Sequence, residues 1–121
     1  MPVLIVESNA QLGLLWKRHL GRLGKTVVLV ETDTEALNVL RTQHVSIIVL
    51  DVMLPNRSGF DILKDLRGDP ELKHLPILML TAKGQIKDRE RAEHLGSSHF
   101  MTKPFSNAEV RDVLHKLVKD A

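Results

Sequence analysis

The sequence predicts an α/β fold, a doubly wound sheet of five parallel strands with helices on both faces, on three observations. Short apolar runs alternate along the chain with segments of helical periodicity. The runs Val3-Leu4-Ile5-Val6, Val45-Ser46-Ile47-Ile48-Val49-Leu50 and Ile77-Leu78-Met79-Leu80 are almost unbroken in their apolarity, as expected of strands covered on both faces. Each of these runs leads directly into a polar, chemically capable side chain, respectively Glu7, Asp51 and Thr81.

In chain order, the first strand delivers Glu7, and the first helix follows with Leu12, Leu15, Trp16, Leu20 and Leu23 on one stripe. Ser8-Asn9-Ala10-Gln11 fits a capping box, with Ser8 as the cap and Gln11 reaching back. Gly24 marks the end of this helix, Trp16 belongs to the core, and Lys17, Arg18, Arg22 and Lys25 form a solvated face. Ala36, Leu37 and Leu40 carry the second helix. The central strand then ends in Asp51, ahead of the turn-forming stretch Val52-Met53-Leu54-Pro55-Asn56-Arg57-Ser58-Gly59. Ile62, Leu63 and Leu66 belong to the third helix, closed by Gly68 and Pro70; the next strand ends in Thr81.

A fourth helix, roughly Ile86 to Leu95 and closed by Gly96, offers only Ile86, Ala92 and Leu95 for burial. An element with so few buried contacts moves at low cost. Phe100-Met101-Thr102 ends in Lys103, and Val110, Val113, Leu114, Leu117 and Val118 trace the stripe of the last helix. Five strand and helix pairs joined by right-handed crossovers imply a flavodoxin-like (βα)5 sheet of strand order 2-1-3-4-5. Its crevice lies where the order reverses, at the carboxyl ends of the first and third strands, so Glu7 and Asp51 are expected to be neighbours.

At 121 residues and 43% hydrophobic, residues 1–121 are expected to form one domain with a self-sufficient core. The absence of cysteine excludes disulfides and thiolate-bound zinc and suits a cytoplasmic location. No segment approaches membrane-spanning length. Seventeen Lys and Arg are nearly matched by 15 acids, so direct nucleic-acid binding is not expected despite a pI near 9.1. The six histidines show no metal-motif spacing.

An Asp before a proline-containing turn is often only a turn residue. With Glu7, Thr81 and Lys103 at matching strand ends, it joins two acids, a hydroxyl and an amine on one rim, a set suited to handling a phosphoryl group with a divalent metal. An attacking carboxylate needs the repulsion between anions offset by a hard cation with oxygen ligands, and Lys103 adds fixed positive charge.

With these residues placed, the chain resembles the receiver domains of bacterial two-component response regulators, of the single-domain chemotaxis type. The resemblance rests on Val3-Leu4-Ile5-Val6-Glu7, on Ile48-Val49-Leu50-Asp51-Val52-Met53-Leu54-Pro55 with Ser58-Gly59-Phe60, on Leu80-Thr81-Ala82 and on Lys103-Pro104-Phe105. It implies that Asp51 is the phosphoacceptor, served by a histidine kinase or phosphotransfer protein, and that the output goes to a downstream protein target or fused effector domain. It further implies that Glu7, Asp51 and the Met53 carbonyl hold Mg²⁺, that Thr81 and Lys103 contact the phosphoryl oxygens, and that Thr81 and Phe100 form the switch. From the residues alone, Phe100 reads as core packing. The resemblance also suggests a cis Lys103-Pro104 bond, and a switch rather than an enzyme.

Three departures from the family pattern matter. Ser8 stands where a second metal-binding acid is usual, so weak Mg²⁺ binding and inefficient phosphorylation are expected. Ser98 and His99 replace paired acids before the aromatic position, and Val113 replaces a basic residue in the last helix, so a monomer is expected. Met53 and Lys83 occupy positions that govern phosphoryl hydrolysis, and Met53 cannot orient a water, which implies slow self-dephosphorylation.

The closest rival reading is a degenerate receiver that binds a partner whatever its phosphorylation state. A haloacid-dehalogenase-like phosphatase would want another acid where Met53 stands. A flavin carrier would want a Ser/Thr/Gly-rich loop in place of Glu7-Ser8-Asn9-Ala10-Gln11-Leu12.

Overall fold

The computed structural model describes residues 1–55, 57–82, 86–97, 99–103 and 106–120. Strands β1 (Val3–Val6), β2 (Val27–Val30), β3 (Ile47–Asp51), β4 (Ile77–Ala82) and β5 (His99–Lys103) alternate with helices α1 (Ala10–Arg22), α2 (Asp33–Thr42), α3 (Gly59–Gly68), α4 (Ile86–His94) and α5 (Asn107–Asp120). The strands pair in parallel in the order β2-β1-β3-β4-β5, as the alternation of the sequence predicts.

Successive strand residues point to opposite faces, so the apolar runs feed two cores. Leu4, Val6, Ile48, Leu50, Ile77 and Met79 pack against residues of α2, α3 and α4, among them Ala36, Phe60, Leu63 and Ala92. Val3, Ile5, Ile47, Val49, Leu78 and Leu80 meet Trp16 and Leu20 of α1 and Val110, Leu114 and Leu117 of α5. Trp16 is fully buried, as its place on the stripe predicts.

Local chemistry sets the helix ends. Thr32 caps α2 through Glu35 N–H, and Ser58 caps α3 through Phe60 N–H. Helices α1 and α4 end alike: Gly24 and Gly96, with φ of 75° and 95°, reverse the chain. In each, the amide of the following residue bonds the last turn, Lys25 N–H to Leu20 O and Ser97 N–H to Ala92 O.

The cap of α1 corrects the expectation for Ser8. Asn9 is the cap, its side chain accepting the Gln11 and Leu12 N–H groups. The shift by one residue has a tertiary cause: Glu7 already accepts Asn9 N–H at 3.0 Å, which holds Asn9 at the helix entrance and turns Ser8 outward.

Of the three apolar candidates of the fourth helix, Ala92 is buried and Leu95 half-buried, and the side chain of Ile86 lies outside the described residues. The expectations for Lys83, Ser98, Pro104 and Phe105 fall outside the described residues. Among the described residues, no helix is long and apolar enough to cross a membrane.

Candidate functional site

The parallel register brings Glu7, Asp51, Thr81 and Lys103 to one edge of the sheet. Val6 pairs with Leu50, Asp51 with Leu80, and Ala82 with Lys103, so these residues stand at adjacent strand ends. Lys103 closes the group: its Nζ donates to Asp51 Oδ2 at 2.7 Å and to Glu7 Oε2 and Oε1 at 3.1 and 3.3 Å. Both carboxylates are buried, Glu7 to 1% and Asp51 to 3% exposure. Backbone amides complete them, Asn9 N–H on Glu7 and Met53 N–H on Asp51 Oδ1, the latter at 3.0 Å.

Two buried acids sharing one ammonium set the electrostatics. Burial pushes the Glu7 carboxyl up to about 7, reinforced by the adjoining Asp51 carboxylate and opposed by the Asn9 N–H and the Lys103 charge. Burial would lower the Lys103 pKa, but its hydrogen bond to Asp51 and the charges of Asp51 and Glu7 outweigh that and raise it above the ordinary lysine value. The site is therefore built for one cation and remains rich in anionic oxygen.

Gly59 makes room for the loop after Asp51. Its amide donates to Val52 O at 2.8 Å, and its α-carbon lies against the Asp51 carbonyl. Any Cβ there would overlap that oxygen and crowd Val52 Cα at 2.9 Å, so a side chain would displace the peptide that aims Asp51.

The Thr81 hydroxyl is the unfinished part. It is buried within the same rim and, among the described residues, has no hydrogen-bond partner. An added anion next to Asp51 would give this donor an acceptor. Phe100, on β5, is half-buried against the core with Arg89 over its ring at 5.9 Å, so it packs as its residue type predicts while lying on the same side of the sheet as Thr81's strand end.

Oxygen donors for a hard cation are present. Glu7 and Asp51 supply buried carboxylates, and the Ser8 hydroxyl rests on the Met53 carbonyl at 3.4 Å, placing that carbonyl beside the end of β1. The set fits Mg²⁺, with two acids rather than three; among the described residues, no group of three or more His, Cys, Asp or Glu could hold a metal ion.

A family model, the response regulator receiver domain, matches residues 3–115. The chain belongs to that family. It is 37% identical over 118 residues to the alkaline phosphatase synthesis transcriptional regulatory protein PhoP of Bacillus subtilis, covering 94% of this chain and 48% of PhoP. It is 30% identical to the polar-differentiation response regulator DivK of Brucella ovis, covering 98% of this chain and 97% of DivK. Among solved structures, the receiver domain of a sensor histidine kinase of Pseudomonas aeruginosa superposes with a TM-score of 0.84 at 28% identity, covering 98% of this chain and 97% of that one. Its cleft coordinates a magnesium ion. This receiver spans about half the length of the curated relatives it matches first. Receivers of this family are phosphoryl-accepting signalling switches that bind Mg²⁺ in the active site and work with histidine kinases and effectors.

Asn9 and Gly59 stand within motifs read from sequence but carry no role of their own there, and Arg67 does not figure in that reading. Asn9 could have been found, since Asn caps helices as well as Ser does; Gly59 shows its role only once its contact with Asp51 is seen.

Proposed function

We propose that Asp51 is the phosphoacceptor of this receiver, that Glu7, Asp51 and the Met53 carbonyl hold its Mg²⁺, and that residues 1–121 form one receiver domain. The observation that carries this reading is the Lys103 ammonium bridging two buried carboxylates beside a buried Thr81 hydroxyl that has no partner among the described residues.

In the reaction, an Asp51 carboxylate oxygen forms a bond to phosphorus as the donor's P–N bond breaks, and the leaving imidazole takes up a proton. When bound, Mg²⁺ supplies neutralisation of the incoming phosphoryl charge. Lys103 stays near Asp51 and follows the new charge onto the phosphoryl oxygens. The Thr81 hydroxyl donates to one of those oxygens, which draws the start of α4 inward and alters the face bearing Phe100.

Ser8 sets the strength of this site. Its neutral hydroxyl touches the Met53 carbonyl where the family usually has an acid, so Mg²⁺ binds weakly and phosphorylation is inefficient. Exposed Met53 cannot orient a water for attack, and the phosphoryl group is long-lived; a half-life unchanged in Met53→Asn would count against this. His99 is half-buried and Val113 packs on the core, so the usual ion-pair dimer through α4, β5 and α5 does not form. Light scattering should find a monomer with and without a phosphoryl mimic.

The test is incubation with Mg²⁺ and acetyl phosphate followed by intact mass, beside Asp51→Asn. An adduct that needs both Asp51 and Mg²⁺ is expected. An adduct absent from the wild type and regained in Ser8→Asp would favour the rival reading, a receiver that signals by phosphorylation-independent binding.

A further inference from the structure

We propose that α4 is a lever hinged at its carboxyl end, with Arg67 as the positioning residue that pins that end while the amino end answers the Asp51 site. The inference rests on the phosphoryl-switch reading above.

Arg67 lies in the last turn of α3. Its Nε donates to Gly96 O at 2.7 Å, and its Nη1 donates to Lys73 O and Leu75 O, both at 2.8 Å. One planar guanidinium thus joins α3, the segment before β4 and the turn between α4 and β5. The stem lies along Gly96 as well: a Cβ added there would meet Arg67 Cγ and Nε at 3.3 Å and Cδ at 3.4 Å. Burial lowers the Arg67 pKa, yet a guanidinium remains a cation at any pH of interest, so the clamp does not titrate away.

Other contacts hold the same end. Arg91 stacks over the Phe60 ring of α3 at 4.5 Å, Ala92 is fully buried, and the Ser97 hydroxyl donates to His99 O at 2.5 Å, with Ile77 O at 3.3 Å. The amino half is different. Among the described side chains of that half, Lys87, Arg89 and Glu90 are exposed, and Arg89 meets Glu93 across a 3.4 Å pair with both side chains about two-thirds exposed. Such a pair gives little resistance. The chain enters α4 at Ile86, five residues after Thr81, so a pull on Thr81 reaches the amino end first. The firmly held end then acts as a fulcrum, and the movement is spent where Arg89 covers Phe100.

The test combines amide hydrogen exchange with amide chemical shifts on adding beryllofluoride, a phosphoryl mimic, at saturating Mg²⁺. In the wild type, shifts should be large at 87–90 and at least threefold smaller at 93–97. Arg67→Gln should raise exchange at 94–97 at least tenfold, spread the beryllofluoride shifts into 93–97 and shrink the shift at Phe100. Incorporation of phosphoryl at Asp51 from acetyl phosphate should stay within twofold of wild type. Arg67→Lys, which keeps the charge but loses the fork, should show the same changes in weaker form and decides the matter should Arg67→Gln unfold. Uniform shifts along α4 with a clear response at Asp51 and Thr81, or unchanged exchange at 94–97 in both variants, would overturn the lever alone. No response at Asp51 and Thr81 would overturn the phosphoryl-site reading and the lever with it.

Discussion

At the ends of β1 and β3, every carboxylate oxygen of Glu7 and Asp51 has a donor, from Asn9, Met53 or Lys103. At the end of β4, the Thr81 hydroxyl is equally buried and has none among the described residues. On the reading proposed above, the first region is complete before any substrate arrives, and the second is held at a cost until an anion appears. This division suits a switch. Groups that attract and orient the phosphoryl donor gain from being fixed in advance, whereas a group that reports the event must gain something only afterwards.

The sharpest way to break the finished side is through its backbone. Gly59→Ala forces a methyl into the Asp51 carbonyl and should cost about 3 kcal/mol of stability while abolishing the acetyl phosphate adduct. Urea unfolding and intact mass measure the two effects. A variant of wild-type stability that is still phosphorylated would show that the loop has slack the contacts do not reveal.

Protons probe the same side next. Glu7 has an ordinary value of 4.5 and sits at about 7 in the folded protein. Between those values, the folded chain keeps a proton that the unfolded chain has released. The stability from that bound proton is therefore fully present below about 4.5 and lost as pH rises through about 7. In metal-free buffer, urea unfolding should show stability falling from pH 5 to pH 8 by on the order of 2 kcal/mol. Glu7→Gln should flatten that slope, and added Mg²⁺ should reduce it by favouring the ionised carboxylate. A slope of opposite sign would mean that Lys103 outweighs burial at Glu7.

Ser8 lies on the finished side and limits it. Ser8→Asp adds a carboxylate beside the Met53 carbonyl and should tighten Mg²⁺ at least tenfold, about 1.4 kcal/mol, in a titration followed by Trp16 fluorescence or calorimetry. Equal affinities would end the account of a weakened metal site.

How much of this was legible in sequence follows from how local each cause is. The unbroken apolar strands and helical stripes carry sheet order and core because burial on two faces writes itself into periodicity; Trp16, Leu63 and Leu114 could be placed that way. Strand ends were equally readable, and with them Glu7, Asp51, Thr81 and Lys103. The cap was not. Ser8 and Asn9 are both good caps, and a hydrogen bond from Asn9 N–H to Glu7 chooses between them. Helix α1 also buries Gly13 and His19, which no stripe of large apolar residues announces. A Cβ at Gly13 would meet the far end of the Leu29 side chain at 2.7 Å, a contact between elements that a single helix cannot encode. Arg67 is the extreme case: carbonyls at 73, 75 and 96 are among its acceptors, and a carbonyl leaves no mark in sequence.

The unfinished side can be tested with the smallest change of all. Thr81→Val keeps the shape and both branches at Cβ but removes the hydroxyl. In most buried settings such a change costs stability, because a hydrogen bond is lost. Here the hydroxyl has no partner among the described residues, so its removal should stabilise the unphosphorylated protein by about 1 kcal/mol. The same variant should still accept a phosphoryl group at Asp51, since Lys103 and both carboxylates are untouched, but beryllofluoride should no longer shift amides at 87–90. A stable protein that is phosphorylated and silent would place the cost and the signal in one hydroxyl. A destabilised variant would show instead that Thr81 has a partner in solution, most simply a water, and that both sides of the crevice are complete before the phosphoryl group arrives.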